Sequence, residues 1–216
     1  MILTIGGAID NRPEAQPQLL KHGLSDKLGK DASETVSKLL KAYGADPAAS
    51  INNRETLLPV LRFVHDIGWY YAALASAEAW SESKALGTSA FVYHFNVPNP
   101  WEGAWKGYAT HALDIAILLQ NYNEFLSSGQ RACAERFGKD VIWFVNGEEP
   151  WKPYEKSVPA AMVYNAKADG DEDESVLAAK GESNLTGRQH FLEDIVGRER
   201  FDDLLKVHDM VWAGSR

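Results

Sequence analysis

Residues 91–115 read FVYHFNVPNPWEGAWKGYATHALDI, and they pass from strand to loop to helix. Phe91, Tyr93 and Phe95 alternate with Val92 and His94, the period-two pattern of a strand rich in aromatic and β-branched side chains. Pro98 and Pro100 lack the N–H that ladder pairing requires, so the strand ends before them. The stretch that follows carries Trp101, Gly103 and Gly107 and predicts a loop. From Ala112 to Phe125 apolar residues return at helical spacing. A strand feeding a helix through a loop is the building unit of α/β architectures.

Working outward, ILTIG at residues 2–6 predicts a short buried strand that turns at Gly6-Gly7, with Asp10 just beyond it. Two stretches, Asp26–Tyr43 and Arg54–Ser83, show a 3.6-residue period. Val36, Leu39, Leu40 and Tyr43 mark one face, and Leu57, Leu58, Leu61, Val64 and Ile67 the other. Trp69, Tyr70, Tyr71 and Trp80 thicken the second into an aromatic surface suited to packing. Downstream, Ser128–Asn146 predicts a helix closed by the turn chemistry of NGEEPWKPY, and Ala161–Ala166 a further strand. The acidic run KADGDEDES, residues 167–175, has the alternate aspartates Asp169, Asp171 and Asp173. It lacks the later glutamate of an EF-hand and predicts a solvated hairpin turn. Gly187–Trp212 predicts a terminal pair of amphipathic helices. No repeat or low-complexity linker interrupts the chain. The expectation is a helix-rich α/β chain with a few strands of an incomplete sheet.

At 216 residues, 45% hydrophobic and 24% charged, the sequence has the composition of a folding globular chain, with length for one large domain or two small ones. Its net charge of -8 repels phosphate backbones and anionic headgroups, so neither nucleic acid nor membrane is an expected partner. Cys133 is the only cysteine, which fits a reducing compartment. MILTIGGAIDNR has no basic n-region and too short an apolar run for a signal peptide, and no segment reaches about 18 apolar residues. A cytoplasmic location is expected, which leaves the glycosylation triplet Asn184-Leu185-Thr186 without use.

The six histidines form no H-x-x-x-H pair and Cys133 stands alone, so no metal is expected. IGGAID has neither G-x-G-x-x-G nor a P-loop lysine, so no nucleotide cofactor is expected either. A serine nucleophile of the α/β-hydrolase kind needs G-x-S-x-G, because the flanking glycines permit the strained elbow. Gly87-Thr88-Ser89-Ala90-Phe91 lacks the last glycine and precedes a strand instead of following one. The other roles of such a triad have candidates. Asp10 follows the first predicted strand, and His111 follows the second through the Pro-, Trp- and Gly-bearing loop. From spacing alone His111 reads first as a helix-start histidine capped by Thr110 and Asp10 as a turn aspartate, while Asp114 is a first-turn carboxylate that offsets the helix dipole or fixes the local loop.

FVYHFNVPNPWEGAWKGYATHALDIAILLQNYNEFL (91–126) followed by FVNGEEPWKPY (144–154) resembles the C-terminal part of type-B carboxylesterases. The likeness is to the fungal members of the cholinesterase-like branch of the α/β-hydrolases. There an aromatic strand leads into a Pro-Trp loop, then to a small residue and the catalytic histidine. An acidic residue three positions later and an apolar helix follow, and then an Asn-Gly and Pro-Trp-x-x-Tyr segment. Here these are Tyr93–Phe95, Pro100-Trp101, Thr110, His111, Asp114, Ile115–Leu119, Asn146-Gly147, and Pro150-Trp151 with Tyr154. ILTIGGAIDN is similar to the strand and turn that present the acid, although Asn11 stands where the family has Gly. Ala112 likewise follows the histidine where Gly is common.

The resemblance implies that residues 1–216 are the histidine-bearing C-terminal portion of an α/β-hydrolase domain, with His111 and Asp10 as triad members. The serine and the oxyanion loop would lie in an N-terminal part outside this sequence, so the chain alone is expected to be inactive. Completed by that half, it would hydrolyse a small-molecule carboxylic ester. The strands at residues 2–6 and 91–95 would then be central and lack neighbours, leaving apolar edges exposed. The partner is expected to be an N-terminal esterase half or a second copy. The competing expectation is a degenerate hydrolase-derived module that binds a protein through Trp69, Tyr70 and Trp80. A third is an unrelated enzyme using His111 and Asp114 as an acid–base pair.

Overall fold

A computed structural model describes residues 16–48, 54–83, 88–166, 170–179 and 190–213. In chain order the elements are α1 (Gln16–Leu28), α2 (Ser33–Tyr43), α3 (Arg54–His65), α4 (Tyr71–Glu82), β1 (Tyr93–Phe95), α5 (Leu113–Leu118), α6 (Ser128–Val145), β2 (Ala160–Tyr164), β3 (Val176–Ala179), α7 (His190–Val196) and α8 (Phe201–Ala213). The described residues form two compact units, those of 16–72 with 190–213, and those of 73–179. It is helix-rich with a small mixed sheet, an arrangement compatible with the α/β class.

The described part of the first unit is helical. α1 begins at Gln16, ten residues before the periodic stretch expected at Asp26, and stops at Gly29, whose φ of 89 ends it. α8 lies along α1, and Gly23 lets Met210 and Val207 approach closely where a Cβ would collide with Met210. Leu39, Val60, Phe63, Val64 and Leu204 fill the interior. Between α3 and α4 the backbone widens into a π turn, Asp66–Tyr70. There Asp66, fully buried, accepts from the Tyr43 hydroxyl at 3.1 Å and lies 3.0 Å from His65 Nδ1. Trp69 packs edge-on against His208 and Trp212, so this expected aromatic residue is part of a ring cluster.

The second unit holds the sheet, in the order β1-β2-β3. β1 runs parallel to β2, with Tyr93 opposite Met162 and Phe95 opposite Tyr164, and β3 pairs antiparallel to β2. Among the described residues β2, not β1, is the central strand. Its AAMVY is buried throughout, since Met162 and Tyr164 face the α5–α6 core while Ala161 and Val163 pack with Ala178 and Val92 on the other face. The connection from β2 to β3 is the acidic hairpin, and it leans on α6: the Gly129 N–H donates to Gly170 O at 3.0 Å, and a Cβ at Gly129 would collide with the Glu172 carbonyl. One of its carboxylates, Asp173, lies 3.6 Å from Arg136 of α6.

α6 starts where its sequence dictates. The Ser127 hydroxyl accepts from the Gln130 N–H at 3.2 Å, and the Gln130 side chain accepts from the Ser127 N–H at 3.1 Å, a capping box. The Gln130 amide also donates to Pro98 O at 2.7 Å, which ties the loop after β1 to the helix.

Candidate functional site

Beyond β1 the chain forms a loop closed on itself. Asn99 N–H donates to Tyr108 O and Gly107 N–H to Asn99 O, both at 2.9 Å, and the Asn99 side chain accepts from the Trp101 N–H at 2.8 Å. Gly103 and Gly107, with φ of 134 and 81, supply backbone that other residues rarely adopt. Trp101 anchors the loop edge-on to Tyr122 and tilted against Phe125. His111 follows on an exposed turn, beyond the C-terminal end of a strand paired in parallel. Open α/β sheets place their chemistry at that end.

The turn itself differs from expectation. α5 begins at Leu113, so its N-cap is Ala112 and not Thr110, and Ala112 makes no side-chain cap bond. Ala112 has a φ of 62, the left-handed region that costs an L-residue about 1–2 kcal/mol. The turn is closed by Leu113 N–H donating to Thr110 O at 3.3 Å. Ala112→Gly should therefore stabilise this unit by about 0.5–1 kcal/mol, read as a rise in its denaturation midpoint, whereas a fall would show that Ala112 is not strained.

Asp114 lies on the first turn of α5, as expected, and accepts from the Tyr93 hydroxyl at 3.2 Å. Burial chiefly, and then the Asp114 charge, push the Tyr93 phenol up to about 12. Asp10, the strand at residues 2–6 and the triplet at Asn184 lie outside the described residues. Trp151 and Tyr154 of the downstream motif are packing residues. The Trp151 ring meets Phe91 and Tyr164, and Tyr154 is buried with its N–H donating to Ala90 O at 2.8 Å.

A polar network under the sheet had no signal in the sequence. Tyr164 donates to Asp140 at 2.7 Å, and Arg136 lies 4.0 Å from Asp140 and 3.6 Å from Asp173. Arg136 also donates to Ser175 O at 3.1 Å, and the Ser175 hydroxyl lies 3.3 Å from Cys133 Sγ. Burial pushes the Cys133 thiol up to about 12, more than the Ser175 contact lowers it, so the sulfur is held as a thiol and not as a nucleophile.

Among the described residues no group of three or more His, Cys, Asp or Glu gathers as a metal set, and no helix is long and apolar enough to cross a membrane. A scan against protein-family models finds no match, and searches of curated proteins and of solved structures find no similar chain. The family resemblance therefore rests on the quoted motifs.

Proposed function

We propose that this chain is the histidine-bearing C-terminal portion of a serine carboxylic-ester hydrolase of the type-B carboxylesterase kind, with an α/β-hydrolase fold. The observation that carries the proposal is the place of His111, on an exposed turn that follows a parallel-paired strand through a Pro-Trp loop. In that role its imidazole would take the proton of a serine hydroxyl supplied from outside this sequence and return it to the leaving alcohol. Asp10 is the proposed orienting acid.

Hydrolysis of a p-nitrophenyl ester tests this. The purified chain alone should stay at the buffer rate, because the sequence holds no G-x-S-x-G. Co-expressed with an N-terminal half that carries the serine elbow and oxyanion loop, it should turn the ester over, and His111→Ala should abolish that turnover. A folded, paired complex in which His111→Ala turns over at the unaltered rate would end the esterase reading. Turnover by the chain alone would end the claim that it needs a second part.

A protein-binding module without catalysis is the second reading. Of the aromatics expected to carry it, Trp69 packs against His208 and Trp212 while Trp80 is 53% exposed, and Ile115, Leu119 and Phe125 add further exposed apolar side chains. Coding sequence upstream of Met1 without an in-frame G-x-S-x-G would favour this reading.

A further inference from the structure

α5 is six residues long and starts from a strained residue that offers no side-chain cap. So short a helix does not stand without tertiary support. Leu113 and Ile117 pin its underside to the core. Its first turn has a second anchor in the hydrogen bond from Tyr93 to Asp114, which spans 21 residues of sequence. The Tyr93 ring is itself fixed, tilted against Phe137 at 5.4 Å and edge-on to Tyr164 at 6.0 Å, while Phe137 and Tyr164 meet at 4.7 Å. The half-exposed Tyr93 thus carries its hydroxyl on a ring cluster at β1 and donates it to the carboxylate three residues beyond His111.

We propose that Tyr93 is the positioning residue of His111: by holding Asp114 it fixes the left-handed turn at Ala112 from which the imidazole is presented. The part played by that imidazole rests on the esterase reading; the hold itself does not. Burial, with the Asp114 charge beside it, raises the Tyr93 phenol above its ordinary value, so the donor proton is in place across the neutral range.

The test uses the full chain, with amide exchange at Leu113 and Ala116, whose N–H groups donate to Thr110 O and Ala112 O, and the 15N spectrum of the His111 ring. Tyr93→Phe keeps the ring and removes the donor. It should speed exchange at those two amides about fivefold and broaden the His111 ring signals, with the central amides of α6 unchanged. Asp114→Ala should do the same, Asp114→Asn should not because it keeps an acceptor, and the Tyr93→Phe/Asp114→Ala pair should exceed neither single change. Unaltered exchange and ring signals in Tyr93→Phe, effects that add in the double variant, or a uniform loss of protection through α6 would each overturn the proposal. Ester turnover is a separate readout. Its failure beside the expected exchange pattern ends the esterase reading alone, and unaltered exchange beside His111-dependent turnover ends this one alone.

Discussion

Phe137→Ala is expected to cost the sheet-bearing unit about 4 kcal/mol, the middle of the range for deleting a buried aromatic ring. Phe137 is 3% exposed on α6, and its ring meets Tyr93, Phe95 and Tyr164, so one side chain joins the helix to both parallel strands. Truncation removes the apolar transfer term and leaves a cavity that the strands, held by ladder bonds, cannot close. Phe137→Leu should recover more than half of the loss. The check is the denaturant midpoint followed by near-ultraviolet circular dichroism. A loss under about 1 kcal/mol would mean that the wall behind Tyr93 is not built on this ring.

The same unit should be unstable in alkali. The buried Cys133 thiol is pushed from 9.0 up to about 12 chiefly by burial, with the Ser175 hydroxyl offsetting only part. Tyr93 is pushed from 10.0 up to about 12, and Tyr164 is raised further by burial and by its bond to Asp140. All three are held in the protonated form by the fold. Their folded pKa values lie above the unfolded ones, so this stability is whole below about pH 9 and is lost as pH climbs from 9 toward 12. The thiol alone contributes about 3 kcal/mol to the loss by pH 11. Urea midpoints measured from pH 7 to pH 11 should be level to about pH 9 and then fall. Cys133→Ala should flatten the first part of the fall, and an equal fall with and without the thiol would show that it is not the sensitive group.

Local chemistry made much of the fold legible. Ser127 and Gln130 place the start of α6, which runs Ser128–Val145 against an expected Ser128–Asn146. The acidic run at 167–175 was expected to be a hairpin turn, and the strands on either side of it do pair antiparallel. Periodicity was less exact about where helices end. The stretch expected as one helix over Ala112–Phe125 breaks at Gln120, whose φ of 57 is left-handed, although the apolar spacing runs on through Leu119 to an exposed face. The helical stretch expected from Asp26 misses most of α1. The buried face of that helix, Gln16, Pro17, Leu20, Gly23, Leu24 and Leu28, recurs at helical spacing but includes polar, proline and glycine residues that blunt its apolar period.

The sequence by itself determined the order of elements around His111, strand then Pro-Trp loop then turn and helix, because proline, glycine and helical spacing act on neighbours along the chain. Only the tertiary structure decided that β2 lies at the centre of the described sheet, that Thr110 does not cap α5, and that Tyr93 meets Asp114 and Tyr164 meets Asp140. Those partners stand 21 and 24 residues apart. A hydrogen bond between them is set by strand pairing and core packing, which leave no period for the sequence to display.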